Sequence, residues 1–319
     1  MREFTIAVPG TIANLGPGFD TLGVAVTMQN ELVFACDEPQ SGTPPEIGRR
    51  LAETKLEMTI EGEGAGEIHV GRDNLVFRAA AHVFRMVGLA PKRIRLHLRN
   101  AIPLQRGLGS SAAAAVGGAV AANVACGNPL NTEALLQIVA RIEGHPDNAA
   151  PALLGGLTVC LHTDEGFHAL RFQVPDTYRI VLCIPEARVP TGAARTVLPR
   201  EVSREDAVFS ISRAAVLVGL LTSGAEEGLR EAMRDRLHQP YRLPLVKGLA
   251  DALEAALAAG ALGAVLSGSG PTLAAFVPAG AAGLAERVGE AMVKALAGRG
   301  TAGRHCQVSI QSRGAWVVT

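Results

Sequence analysis

Lysine is scarce in this chain: Lys55, Lys92, Lys247 and Lys294 are the only four in 319 residues. No GxxxxGK[ST] string occurs, which excludes a Walker-type loop, where such a lysine neutralises phosphate charge. The strand lysine and HRD loop of protein kinases are missing too. Cysteine is sparse. Cys36, Cys126, Cys160, Cys183 and Cys306 are odd in number, widely spaced and set among apolar residues, without CxxC spacing. A disulfide framework and a structural zinc site are thereby excluded, and free buried thiols in a reducing cytoplasm are expected. No HExxH occurs. Thirty basic residues balance thirty acidic ones, so no basic field exists to hold nucleic acid or an anionic membrane. The N-terminus, MREFTIAVPG, lacks the apolar core of a signal peptide. Asn123 interrupts the most apolar stretch, Ala112 to Cys126, which reads as a packed helix and not a membrane span. A soluble, cytoplasmic protein without nucleic-acid or membrane partners is expected.

What is present is a folded chain, 48% hydrophobic and 19% charged, long enough for two domains or one large one. Its organising stretch is Pro103 to Ala115, PLQRGLGSSAAAA. Gly107 and Gly109 allow backbone conformations closed to other residues. Ser110 and Ser111 open an Ala-rich helix, where free N–H groups and the dipole favour an anion. Such a turn is either a phosphate cradle or an ordinary capped turn. GLGSSA lacks the third glycine of a dinucleotide fingerprint. A cradle without lysine must rely on backbone N–H groups and a divalent ion. Magnesium takes few protein oxygens beside the phosphates, and a Ser110 or Ser111 hydroxyl with the Glu143 carboxylate suits it.

Taken in order, Phe4–Val8 reads as a strand ending at Pro9, followed by a glycine-punctuated loop that holds Asn14 and Asp20. Leu22–Val26 and Glu31–Ala35 read as separate strands, and 38–55 as an exposed excursion. Leu56–Ile60 alternates as a strand, Asn74–Val87 carries helical spacing with Asp73 or Asn74 as its cap, and Ile94–Leu98 is a strand. Thr132–Glu143 is an amphipathic helix. It leads into a loop, EGHPDN, that gathers two carboxylates, an imidazole and an amide. Strand Leu157–Leu161 follows. Beyond a boundary near residue 163, strand Arg179–Ile184 precedes a loop with Thr191 and Arg195. Helices near 206–221, 226–233 and 245–259 come next. Strands 261–266 and 272–277 flank the turn Ser267–Pro271, and helix 282–297 and a strand near 307–310 close the chain.

These motifs resemble, in order and from end to end, those of the galactokinase, homoserine kinase, mevalonate kinase and phosphomevalonate kinase (GHMP) superfamily. PLQRGLGSSAAA is similar to its ATP loop, VPGTIANLGPGFDTLG to its first motif and LSGSGPTLAAF to its third. EGHPDNAAPALLGGL, DRLHQPYR and PTGAARTVLP resemble the homoserine kinase branch in particular. The resemblance implies an α+β fold of two domains. Residues 1–163 would be like ribosomal protein S5 domain 2, and residues 164–319 ferredoxin-like. It implies ATP-dependent phosphorylation of L-homoserine to O-phospho-L-homoserine for threonine synthesis, by a cytoplasmic homodimer. ATP would lie on Pro103, Leu104, Gln105, Arg106, Gly107, Leu108, Gly109, Ser110, Ser111, Ala112 and Ala113. Mg2+ would lie on Ser111 and Glu143, and Asn74 would border the adenine. Asp147 and Asp20 would hold the substrate ammonium, with Asn14 and His145 adding polar contacts. Arg195 and Arg242 would clamp its carboxylate, a task suited to the guanidinium fork. Asn148 stands where other superfamily members place an Asp base. Catalysis is therefore expected from positioning, with Asn148, Thr191 and Glu143 near the transferred group. His238 is expected to be structural. Gly10 and Ile12 depart from the VPATSAN pattern. Two other readings are a sugar or isoprenoid-alcohol kinase of the same superfamily and a catalytically silent ligand-binding relative.

Overall fold

The structure, a computed structural model, describes residues 1–318. Strand β1 (Arg2–Ala13) pairs antiparallel with β2 (Leu22–Cys36) along almost their whole length. Their register slips between Pro9 and Gly10. That bulge absorbs the proline, which has no N–H for the ladder, so β1 continues past the expected stop and β2 is one strand instead of two. Helix α1 (Pro44–Glu53) occupies the segment expected to be an excursion. The Thr43 N–H donates to the Glu46 carboxylate at 2.8 Å, Pro44 opens the first turn, and Ile47 and Leu51 are buried.

Strand β3 (Lys55–Gly62), helix α2 (Leu75–Val87) and strand β4 (Arg93–Asn100) form a parallel crossover. Helices α3 (Ser110–Ala125), α4 (Thr132–Glu143) and α5 (Pro146–Leu154) then pack together on the sheet. The small residues of α3 permit close approach: a Cβ on Gly118 would lie 2.1 Å from the Val76 carbonyl oxygen. Strand β5 (Leu157–Thr163) pairs with the start of β2, and β6 (Gly166–Phe172), which sequence periodicity missed, pairs with β5. The first sheet thus extends past residue 163 to Phe172.

Strand β7 (Tyr178–Pro185) begins the second sheet. It is followed by α6 (Thr191–Thr196), α7 (Arg204–Ser223), α8 (Leu249–Ala258), β8 (Gly263–Leu266), β9 (Leu273–Pro278), α9 (Leu284–Ala297) and β10 (Gly303–Val308). The antiparallel order is β8-β9-β7-β10, the ferredoxin-like arrangement. Val181, Cys183, Leu266 and Leu273 bury one of its faces in a core shared with α8 and α9. Ile180, Leu182 and Phe276 turn the other way, into a core continuous with that of the first sheet. The chain then returns: β11 (Trp316–Val318) pairs with Thr5–Ala7 of β1. Two segments beyond residue 163, β6 and β11, thus belong to the first sheet. Neither is legible alone, because each is a short edge segment defined by its partner.

Candidate active site

The Pro103–Gly109 turn is held between the end of β1 and the Ser267–Pro271 turn. The Thr11 N–H donates to Leu108 O at 3.1 Å and the Thr272 N–H to Arg106 O at 3.3 Å. The Ser267 hydroxyl donates to Gly107 O at 2.5 Å. Gly107 has φ +73°, and a Cβ there would lie 2.1 Å from Ser267 O. Gly109, at φ +71°, caps α3, and its Cβ would lie 1.9 Å from the Thr11 hydroxyl. Only glycine fits either position. The turn thus carries the chain to the free N–H groups of α3 without side chains in the way. Arg106, expected to meet ATP, spends its guanidinium on Leu104 O, Pro185 O and Glu186 O, at 2.9, 2.6 and 2.6 Å. It braces the turn. Ala112 is fully buried, so its backbone is what it can offer.

Two cavities meet at this turn. One, of about 310 Å³, is walled by apolar groups such as Val8, Leu32, Leu98 and Leu104 and bordered by Asn74 and Ala113. The other, of about 320 Å³, is walled by polar and charged groups. They share Leu75, Gln105, Ser110 and Ser111. Asn74 is the N-cap of α2: its side chain accepts from the Val76 N–H and donates to His69 O, both at 2.9 Å. It therefore borders the apolar cavity with its carboxamide already engaged.

The polar cavity brings together Asn14, Asp20, Pro103, Gln105 to Ser111, Glu143, His145, Asp147, Asn148, Thr191, Arg195 and Arg242. Asn14 and Asp20 sit at φ +69° and +53° in the β1–β2 loop. The Asn14 amide spans that loop, donating to Gly268 O at 2.9 Å and accepting from the Asp20 N–H at 3.0 Å. Arg195 grips the Asp20 carboxylate with both Nη atoms, at 2.9 and 2.8 Å. Two groups expected to hold substrate therefore hold each other here. Arg242 is 3% exposed and donates to Ala194 O and Gly268 O, both at 3.1 Å. Burial, and then the Arg195 charge, lower its pKa. The guanidinium carbons of both arginines lie near the Phe19 ring, 5.8 and 5.1 Å from its centroid. That ring also stacks on His238. His238 is fully buried, with Nε2 2.8 Å from Gly16 O. Its place is structural, as expected.

The EGHPDN segment is not a loop. Gly144 closes α4 in the left-handed conformation, His145 is the N-cap of α5 and Pro146 its first residue. Asp147 and Asn148 therefore stand in the first turn of a helix, and the proline that looked like loop punctuation is its start signal. Thr191 likewise begins α6 instead of lying in a loop. The Ser111 hydroxyl donates to Glu143 Oε1 at 2.6 Å. Burial raises the Glu143 pKa against the lowering effect of that bond. His145 Nδ1 lies 2.8 Å from Asp147 Oδ1, and this hydrogen bond raises the imidazole pKa. Asn148 Oδ1 accepts from the Thr11 hydroxyl at 2.7 Å, and its Nδ2 faces Asp147 Oδ1 at 3.3 Å. Among the described residues, no three His, Cys, Asp or Glu side chains group to cage a metal. Sequence reasoning did not assign Thr11, Phe19, Gly268 or Ser269. The last two lie in the SGSGP turn, whose glycines were the available signal.

An apolar pocket and a charged pocket joined over a glycine turn at a helix N-terminus define a nucleotide-dependent transferase cleft. Residues 74–156 match the family model for the GHMP kinase N-terminal domain, and residues 217–294 the one for the C-terminal domain. A curated homoserine kinase from Moorella thermoacetica is 44% identical over 92% of this chain and 93% of its own length. Another, from Prochlorococcus marinus, is 38% identical over 98% and 95%. The crystal structure of homoserine kinase from Cytophaga hutchinsonii superposes with TM-score 0.86 at 27% identity, covering 100% of this chain and 98% of that one. The chain belongs to the GHMP kinases and, within them, to the homoserine kinase family. It is accordingly a kinase with the two-domain GHMP fold and uses ATP, as the sequence motifs imply.

Proposed function

We propose that this protein moves the γ-phosphoryl group of ATP to the side-chain hydroxyl of L-homoserine, giving O-phospho-L-homoserine. The observation that carries this reading is the meeting of the two cavities at Ser110 and Ser111. In it, adenine lies in the apolar cavity and the triphosphate lies along Gly107–Ala112 on the α3 N-terminus. The Ser111–Glu143 pair offers two hard oxygens suited to meet a divalent ion. Magnesium held there by Ser111 and Glu143 would neutralise phosphate charge.

Homoserine is a zwitterion with one hydroxyl. Its ammonium faces Asp20 and Asp147, with Asn14 and His145 beside them, and its carboxylate faces Arg195 and Arg242. Binding trades the Asp20–Arg195 contact for one partner on each group, so no charge in the cavity is left unpaired. The hydroxyl oxygen attacks the γ-phosphorus, the bond to the ADP oxygen breaks, and the hydroxyl proton leaves on a phosphoryl oxygen. Asp147 is already committed to His145, and Asn148 has no basic atom. The loose transition state needs no strong base, and Asn148 and Thr191 serve by positioning.

This reading divides the chain after Phe172, with β11 added back to the first half. It also takes the enzyme to be a cytoplasmic homodimer. In support, α7 presents Val208, Ile211 and Val216 outward at 59, 67 and 54% exposure. The helix is long and apolar enough to cross a membrane by composition. However, its Asp206 and Arg213 pair with Arg236 and Glu231 of this chain, which favours a second copy as the cover. A coupled assay with ATP, magnesium and either L-homoserine or mevalonate tests the activity. Turnover on homoserine alone is expected, and turnover on mevalonate alone would overturn it.

A further inference from the structure

We propose that Thr11 is a positioning residue that fixes the side-chain amide of Asn148, so that only its N–H donors can face the reacting groups. Thr11 is fully buried near the end of β1. Its hydroxyl donates to Asn148 Oδ1 at 2.7 Å, across 137 residues of sequence. The amide orientation follows from what surrounds it. Asp147 Oδ1 lies 3.3 Å from the other end of the amide and also receives His145 Nδ1 at 2.8 Å. With Asn148 flipped, two oxygens would face each other at that end, so Nδ2 belongs beside Asp147. The oxygen end then needs a donor, and the Thr11 hydroxyl supplies it.

Gly109 makes this possible, because the space its missing Cβ leaves is the space the Thr11 hydroxyl takes. The same residue also joins the phosphate turn through its N–H, which donates to Leu108 O. Thr11 therefore ties the nucleotide side of the cleft to the acceptor side. Asn148 is left as a pure donor, able to hold a phosphoryl or hydroxyl oxygen and unable to accept the substrate proton.

This inference rests on the placement of Asn148 beside the transferred group, and the two fail differently. Thr11→Val, which keeps the branched shape of a buried strand residue and removes the hydroxyl, is compared with Thr11→Ser, Asn148→Ala and the double variant Thr11→Val/Asn148→Ala. Expected is a kcat loss on the order of tenfold to a hundredfold for Thr11→Val, the scale of a misplaced reacting group. Both KM values should stay within about threefold and melting should be close to the parent, since the cost falls on the transition state. Thr11→Ser should recover most of the rate, and the double variant should be no slower than Asn148→Ala, the non-additivity of groups acting as one unit. If Thr11→Val folds poorly, Thr11→Ser and Thr11→Ala decide the matter through the same kcat comparison. Parental kcat in Thr11→Val beside an impaired Asn148→Ala overturns the role of Thr11 alone. Parental kcat in Asn148→Ala overturns the placement of Asn148 and this inference with it. Fully additive losses in the double variant overturn the coupling.

Discussion

On the side of the cleft proposed to hold phosphate, the walls are backbone and small residues. Gly107, Gly109, Ser110 and Ala112 work because little projects from them, and the supporting contacts are to carbonyl and N–H groups. On the proposed acceptor side, the walls are acidic and basic side chains drawn from four separate segments: Asp20, Asp147, Arg195 and Arg242. Three of them arrive already paired, Asp20 with Arg195 and Asp147 with His145, while Arg242 rests on the Ala194 and Gly268 carbonyls. A site made of backbone is rigid and indifferent to what the phosphates are attached to. In the proposed reading, a site made of paired charges waits for a ligand that can replace each partner, and so would choose the substrate. The phosphate side therefore fails by added bulk, and the acceptor side by lost charge.

Glu143 lies where the two sides join, and removing its charge should break the comparison most sharply. Glu143→Gln is expected to lower kcat on the order of a hundredfold to a thousandfold, the cost of losing one preorganised electrostatic group. Its stability should move the other way. Burial raises the Glu143 pKa, so the folded protein holds this proton more tightly than the unfolded chain. Stability then falls as pH rises from the usual glutamate range through the folded pKa, and the penalty persists above it. Glu143→Gln should therefore melt above the parent at pH 7, with the gap closing below about pH 4. Melting curves at both pH values, read beside kcat, check the two halves of this expectation.

A methyl group on the phosphate side comes next. In Gly107→Ala the Cβ would meet Ser267 O at 2.1 Å from a backbone with φ +73°, and the turn must shift. The KM for ATP should rise on the order of tenfold to a hundredfold. The KM for the acceptor should change much less. Equal rises in both would show that the two sides do not behave as separate materials.

The same contrast governs what could be read from the sequence. GLGSS was legible because a backbone cradle needs glycine and helix-starting residues in one short string. The chemistry of EGHPDN was legible too, but its shape was not: Pro146 reads equally as a loop breaker and as the first residue of α5. Pro9 alone reads as the end of a strand because the bulge that tolerates it depends on β2. Helix α1 was hidden by Pro, Gly and charge, although Thr43 and Glu46 spell its cap. Thr11 gave no local signal, since its partner lies 137 residues away. The Asp20–Arg195 pair is also illegible, because each group alone reads as a substrate contact and nothing local ties it to the other.

The claim that paired side chains on the acceptor side select an α-amino acid head is tested most directly by trimming the acceptor. Phosphorylation of L-homoserine is compared with that of 4-hydroxybutanoate, which lacks the ammonium, and 3-aminopropan-1-ol, which lacks the carboxylate. Each trimmed alcohol lacks the group that would meet one set of charged side chains in the cavity, so kcat/KM should fall on the order of a hundredfold or more for both. Either trimmed alcohol reacting within a few-fold of L-homoserine would contradict the account.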